Sequence, residues 1–296
     1  MISRQQDVTP AVIEVMRRTR DQRLREIMIS LVTHLHGFVR DVGLTEAEFH
    51  EAAAILNQIG QLSTDRHNET VLMAGSLGVS SLVCLLNNGD AGQTETSQSL
   101  LGPFWRLNAP RVANGGSIVR SETTGARLLV NGRVENGGGA PVAGAEVDVW
   151  HASPTGYYEN QDPLQADMNL RGKFLTDGEG RFSFWTVMMS GYPIPTNGVV
   201  GRLLRAQDRH PYRPAHLHAL VVKAGYKVLI SQVYNPADPH IDTDVQFGVT
   251  ARLMGEFVRH EGPTPEGADP SSPWYSLDYT YVLEPGETKL PRAPIA

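Results

Sequence analysis

The chain has 296 residues, of which 41% are hydrophobic and 20% charged, the balance of an ordinary folded domain protein. Its net charge is −6, from 26 basic and 32 acidic residues with no basic stripe, which argues against nucleic acid as the main partner. The single Cys84 excludes an intrachain disulfide framework, no run reaches the ~18 apolar residues of a membrane span, and no apolar signal core opens the chain, so the expected setting is cytoplasmic.

Punctuation residues divide the chain. Of 19 prolines, only Pro10 lies in the first hundred residues, so that part reads as helical and the rest as strands and loops. Thr9-Pro10 has the form of an N-cap with Pro at the first helical position. The next stretch, "DQRLREIMISLVTHLHGFVRDVG", places Leu24, Ile27, Met28, Leu31, Leu35 and Phe38 on one apolar stripe. In "LTEAEFHEAAAILNQIG", Thr45 is an N-cap with Glu48 as capping-box partner, Leu44 and Phe49 form a staple, and Gly60 is a C′ stop. One further helix is expected over "VLMAGSLGVSSLVCLL". The grammar changes near "LLGPFWRLNAP". Short alternating runs follow, among them "ARLLVNGRV", "GAEVDVW", "GRFSFWTV", "HLHALVVKAG" and "YKVLISQVY", the pattern of an antiparallel sandwich. The tail "EPGETKLPRAPIA" reads as irregular.

The tripeptide HLH occurs twice, at His34–His36 and at His216–His218. On a helix, residues i and i+2 diverge by about 200°, so the first pair is rejected as a shared metal site. On a strand they point to one face, so the second pair, which follows Pro214 and leads into a β-like run, suits adjacent positions on one metal. No carboxylate follows in "ALVVKAGYKVL", and a two-His, one-carboxylate site would need a distant residue such as Asp208 or Asp238. His210 and His240 lie in loop sequence and read as solvent-facing. Tyr158 and Tyr192 lie in loops rich in Gly and Pro; as phenolates they are hard anionic donors suited to Fe(III). The residues alone permit this set without selecting it.

The segments "GYYENQ", "SGYPIP", "RPAHLH" and "SQVY", in this order, resemble the intradiol ring-cleavage dioxygenases, nearest to the catechol and hydroxyquinol branches. The similarity covers nearly the whole chain, "LLGPFW" included. It implies an α+β protein: a helical dimerisation domain over 1–105, followed by a prealbumin-like antiparallel β-sandwich catalytic domain over 106–296. The resemblance also implies one Fe(III) per subunit and no organic cofactor. Its ligands by motif position are Tyr158 and His216 (equatorial) and Tyr192 and His218 (axial), with Tyr157 as a packing neighbour. The implied reaction opens the ring of an aromatic diol with O2 to a cis,cis-muconate, as part of aromatic catabolism.

Arg213 stands at the family's arginine position, where a fixed cation stabilises charge developing on the ring, and Gln232 at a glutamine near the reacting centre. The expected substrate wall comprises Leu72, Gly75, Leu101, Gly102, Pro103, Phe104, Ile194 and Pro195. "YPIPTNGVVG" resembles the hydroxyquinol branch, which makes benzene-1,2,4-triol the favoured substrate. Gly75 stands where that branch carries an Asp, which keeps catechol or a substituted catechol open. The resemblance further implies a homodimer through the helical domain, with a bound phospholipid. The competing readings are a prealbumin-like binding module without metal and a two-His, one-carboxylate metalloenzyme.

Overall fold

The structure, a computed structural model, describes residues 2–64, 67–88, 96–265 and 273–294. The chain separates into two compact units, Met1–Gln58 and Ile59–Ala296. The first unit holds α1 (Gln5–Met16), α2 (Gln22–Asp41) and most of α3 (Glu46–Leu62). Helix α1 starts five residues before the expected place, with Arg4 at the N-cap position instead of Thr9. Asp7 Oδ2 accepts the backbone N–H groups of Ser3 and Arg4 at 3.1 and 3.0 Å, which closes an earlier first turn and leaves Pro10 inside the helix. Thr9 Oγ1 instead ties α1 to α2: it accepts from Arg40 Nη1 at 2.9 Å and meets His36 Nδ1 at 3.0 Å. His36 is thus a structural histidine, and His34 is exposed. The Thr45–Glu48 capping box forms as expected, with Glu48 Oε2 accepting Thr45 N–H at 2.9 Å and Thr45 Oγ1 accepting Glu48 N–H at 3.3 Å. Gly60 does not stop α3, which runs on to Leu62. A C′ stop needs a left-handed residue: Gly43 after α2 adopts that conformation (φ +59°) and Gly60 does not.

The boundary between the units falls well before residue 105. The helices α4 (Glu69–Ser76) and α5 (Val79–Asn88) belong with the sandwich. They replace the single helix expected there, because Gly78 turns left-handed (φ +73°) and the axes bend by 78°. The buried Glu69 anchors α4. Its Oε1 accepts the N–H of Val200 at 2.8 Å, in the first turn of α6 (Val199–Ala206), and its Oε2 meets His67 Nε2 at 2.6 Å.

One sheet has the order β4 (Arg181–Val187), β1 (Arg127–Asn136), β10 (Trp274–Leu283), β9 (Glu256–His260). The other is β3 (Arg171–Leu175), β2 (Glu146–Trp150), β7 (His216–Val222), β8 (Leu229–Tyr234). A two-stranded ladder joins β5 (Tyr192–Pro193) to β6 (Tyr212–Arg213). Among the described residues, the ladders between these strands are antiparallel except β1 with β10, which run parallel from Leu128↔Tyr275 to Asn136↔Leu283. A shared core of Val130, Phe184, Val149, Leu217, Ala219 and Val221 lies between the sheets. Each fully buried Val, Leu or Phe side chain among them stabilises the fold by roughly 1.5–3 kcal/mol. The alternation along β7 decides the rest. With Leu217, Ala219 and Val221 inward, His216, His218 and Leu220 take the opposite face, where a second apolar cluster gathers Trp105, Trp150, Tyr158 and Tyr192. Among the described residues, no single helix is long and apolar enough to cross a membrane.

Candidate metal centre

The site is built on one transverse row of the second sheet. Arg171 pairs with Trp150, Trp150 with His218, and His218 with Gln232; one step along, His216 pairs with Tyr234. Residues directly opposite in a ladder share a face. The strand geometry therefore gathers both histidines with Gln232 and Tyr234 on the outer face. The tyrosines come from outside the sheet. Tyr192 opens β5, opposite Arg213, and Tyr158 precedes a single 3₁₀ turn (Glu159–Gln161), its N–H donated to Gln161 Oε1 at 3.1 Å.

The four donors converge. The hydroxyls of Tyr158 and Tyr192 are 3.5 Å apart, and the Nε2 atoms of His216 and His218 are 3.1 Å apart. The Tyr192 and His216 rings lie 5.6 Å apart, and those of Tyr158 and His218 6.4 Å apart. All four side chains are buried. His216 Nδ1 donates to the carbonyl of Pro214 at 2.7 Å, which leaves its Nε2 lone pair facing the centre. Trp150 stacks on His218 at 4.6 Å and 7°, and Phe104 on Tyr158 at 4.4 Å and 28°.

Burial lowers the His216 pKa to about 3 and that of His218 well below the ordinary imidazole value; Arg213 adds to both, and the His216 neighbour to the second. Both rings are neutral at physiological pH, the form that binds a metal. Burial, with Tyr192 beside it, pushes the Tyr158 phenol well above its ordinary value. Only a cation held among these oxygens reverses that preference. Two neutral imidazoles and two phenols around one point therefore fit a hard, highly charged ion such as Fe(III).

Arg213 is buried beside this cluster. Its Nη2 donates to Gln232 Oε1 at 2.9 Å and Tyr234 Oη at 2.7 Å, and its Nε and Nη2 donate to Asp244 Oδ1 and Oδ2, each at 3.2 Å. Burial opposes the Asp244 charge, yet Arg213 and the N–H groups of Gly248 and Gln246 outweigh it and hold the carboxyl below its ordinary pKa. Gln232 Nε2 donates to the carbonyl of Leu100 at 2.7 Å, so both ends of that amide are held. The sequence reading missed Asp244, 31 residues beyond Arg213 in a loop. No local signal marks it; only in the folded chain does Gly248, four residues on, prove to be where a Cβ would lie 2.9 Å from Arg213 Nη2 and from Tyr234 Oη. The reading also missed Trp150, Glu159 and Arg171.

The expected wall residues divide. Leu101 and Phe104 pack on the cluster of Trp150, Tyr158 and Tyr192; Gly102, left-handed at φ +74°, leaves His218 Cε1 3.3 Å from where a Cβ would stand. Leu72 and Ile194 are buried with Val200, Leu204 and Val245. Gly75 faces the side chain of Gln246, which a Cβ would approach to 3.1 Å. Pro103 and Pro195 are exposed. Tyr157 is also exposed rather than packed, because its carbonyl accepts Ser153 N–H and the loop turns its ring outward. His240 stacks on Tyr212 at 4.7 Å and 7°, and the His210 ring lies tilted beside both, so neither histidine stands free in solvent. The carboxylate-based metal site finds no support. Among the described residues no group of three or more His, Cys, Asp or Glu converges; Asp208 is exposed, and Asp238 Oδ2 accepts the N–H of Ala215 at 2.9 Å.

The chain matches the family model described as Dioxygenase over residues 100–284 and that described as Catechol dioxygenase N terminus over residues 21–95. It is 40% identical to hydroxyquinol 1,2-dioxygenase of a Rhizobium species, over 92% of each chain. It is 38% identical to 6-chlorohydroxyquinol 1,2-dioxygenase of Cupriavidus pinatubonensis, over 95% of this chain and 98% of that one. Among solved structures, hydroxyquinol 1,2-dioxygenase of Pseudomonas putida superposes with a TM-score of 0.88 at 34% identity, over 95% of this chain and 99% of that one.

Proposed function

Since the chain belongs to the intradiol ring-cleavage dioxygenases, we propose that it opens the ring of hydroxyquinol with O2, placing both oxygen atoms in a cis,cis-muconate-type product. The observation that carries this reading is the convergence of two buried phenols and two buried imidazoles at one point. In this proposal Tyr158, Tyr192, His216 and His218 hold one Fe(III) per subunit. When bound, the ion supplies the Lewis acidity that binds both vicinal hydroxyls and makes the ring reactive to O2.

The chain's own groups do the rest. Tyr192 sits on a ladder of only two residues, with Gly191 before it. Its Oη, one of the oxygens that would hold the ion, would also serve as the base for a substrate hydroxyl proton. Arg213 is fixed by Asp244, Gln232 and Tyr234, so its charge needs no rearrangement as negative charge develops on the ring. Gln232 and Arg213 thus form one rigid unit beside the ring. Trp150 and Phe104, stacked on His218 and Tyr158, keep water from the ligand rings, and Leu101, Gly102 and Phe104 form the apolar wall.

A second reading, catechol or a substituted catechol as the preferred diol, has one observation in its favour. At Gly75 no side chain is present to meet a third ring hydroxyl. Oxygen uptake by the iron-loaded protein, with hydroxyquinol and catechol compared at equal concentration, separates the two. Faster uptake with hydroxyquinol is expected, and the reverse order would overturn the substrate assignment.

The proposal extends to a homodimer formed through the helical unit. Leu24, Ile27, Leu31, Leu35 and Phe38 of α2 are each about half exposed in the single chain, a stripe suited to a second copy and to phospholipid acyl chains. Sedimentation at several concentrations, with mass spectrometry of organic extracts, tests both. A cytoplasmic setting is supported by the lone Cys84.

A further inference from the structure

Arg171 occupies the end of the transverse row opposite Gln232, across Trp150 and His218. It is 1% exposed, as buried as the ligands themselves. Its Nε donates to Glu159 Oε2 at 2.7 Å, and its Nη1 donates to the carbonyl of Phe104 at 2.6 Å. Glu159 directly follows Tyr158, and Phe104 is the residue whose ring lies on Tyr158. The Arg171 guanidinium carbon stands 5.9 Å from the centroid of the Tyr158 ring. Its Nη2 has no hydrogen-bond partner among the described residues.

The surrounding charges are few. Glu159 Oε1 also accepts from Arg106 Nη1 at 3.0 Å, and Arg106 reaches the exposed Asp167 at 2.7 Å. The buried pair of this group is Arg171 with Glu159; Arg106 is only partly buried and is balanced by Asp167, and the buried Asp148 also acts on Arg171, so on this side the Tyr158 ring has one guanidinium and one carboxylate of opposite sign as its nearest buried charges. Coulomb attraction within ~6 Å is strong where water is excluded. The two tyrosines thus each have a buried arginine: Arg213 opposite Tyr192 in the ladder, and Arg171 over Tyr158.

We infer that Arg171 is a positioning residue for the metal centre: it ties the Phe104 segment to the Tyr158 loop and sets, together with Glu159, the electron-donating strength of the Tyr158 oxygen. The inference rests on the ferric, two-tyrosinate reading given above. A cation beside a phenolate lowers the energy of its filled orbitals. Removing the cation raises them, and tyrosinate-to-Fe(III) charge transfer then needs less energy. Removing the neighbouring carboxylate has the opposite effect. Loosened packing alone does not produce shifts of opposite sign.

The test is the visible spectrum of the full-length, iron-loaded protein, with bound iron measured on each sample. Arg171→Met is expected to move the tyrosinate band to longer wavelength and Glu159→Gln to shorter wavelength, with Arg171→Lys restoring most of the wild-type position. Bands that stay in place at wild-type iron content, or that both move the same way, would overturn the inference alone. A wild-type protein that binds iron without such a band would instead overturn the reading beneath it, and the inference with it. If Arg171→Met does not fold, Glu159→Gln decides: a shorter wavelength supports the inference, and an unchanged or longer one overturns it.

Discussion

Asp244 grips Arg213 through two hydrogen bonds of 3.2 Å, Nε to Oδ1 and Nη2 to Oδ2, with both side chains out of solvent. Neither group has water to fall back on. Removing one partner of such a pair leaves an uncompensated buried charge and costs about 3–5 kcal/mol. Asp244→Asn is therefore expected to lose that order of stability in urea denaturation. It should also lower kcat, because the guanidinium loses its fixed orientation. A variant with unchanged denaturation midpoint and kcat would show that the pair does not hold Arg213 in place.

Gly248 lies against the same guanidinium. A Cβ there would stand 2.9 Å from Arg213 Nη2 and 2.9 Å from Tyr234 Oη, inside contact distance. Both groups are locked by other bonds and have little room to move. Gly248→Ala is expected to cost about 1–3 kcal/mol as an overpacking change, and to reduce kcat more than a distant surface Gly→Ala does. Steady-state oxygen uptake and thermal unfolding measure the two effects.

The tyrosines make a colour prediction. Tyr158→Phe removes one of the two anionic donors and leaves Phe104 stacked on a ring without an oxygen, so the band should weaken and shift to what Tyr192 alone gives, and activity should be lost. Tyr192→Phe removes the proposed base together with the second donor, and should fall in kcat by at least the ~100-fold typical of general acid–base groups. Absorption spectra of both variants after aerobic iron reconstitution check this. Retention of the wild-type band in both would eliminate the tyrosinate ligands.

Acid sensitivity of the iron-free protein follows from His151. Its Nδ1 donates to the carbonyl of Ala152 at 2.8 Å, its Nε2 accepts from Thr186 Oγ1 at 2.7 Å, and burial lowers its pKa to about 4. The unfolded chain binds that proton near pH ~6.5. The stability is thus fully present above that pH and is lost as pH falls toward about 4, by at most about 1.4 kcal/mol per pH unit. Asp148 works the other way. Burial raises its pKa to about 6, against the Trp105 indole N–H at 3.0 Å, so its contribution is lost as pH rises from about 4 to about 6. Denaturation curves from pH 7 to pH 4 should show a steeper fall for Asp148→Asn than for the wild type. Parallel curves would contradict the assignment.

Much of the fold is legible in the sequence. The proline and glycine distribution separated helices from strands, and the Thr45–Glu48 capping box formed as read, because both depend on residues within one turn of each other. The strand period placed His216 and His218 on one face and rejected His34 and His36 for the same geometric reason. Local signals failed where a competitor sat just outside the motif. Asp7 outbid Thr9 for the start of α1, and Gly78 split the fourth helix.

What the sequence determined by itself is therefore local: element type, the shared face of His216 and His218, and a set of tyrosines chemically able to join them. The tertiary structure alone decided the rest. It brought Tyr158 and Tyr192 together across 34 residues, set Asp244 on Arg213 across 31, and laid Arg171 in register with His218 through Trp150. The physical reason is that a buried charge is satisfied by whatever group the fold carries to it. Neither Asp244 nor Glu159 differs locally from a surface carboxylate; only the packing of separate strands and loops makes each the partner of a buried guanidinium.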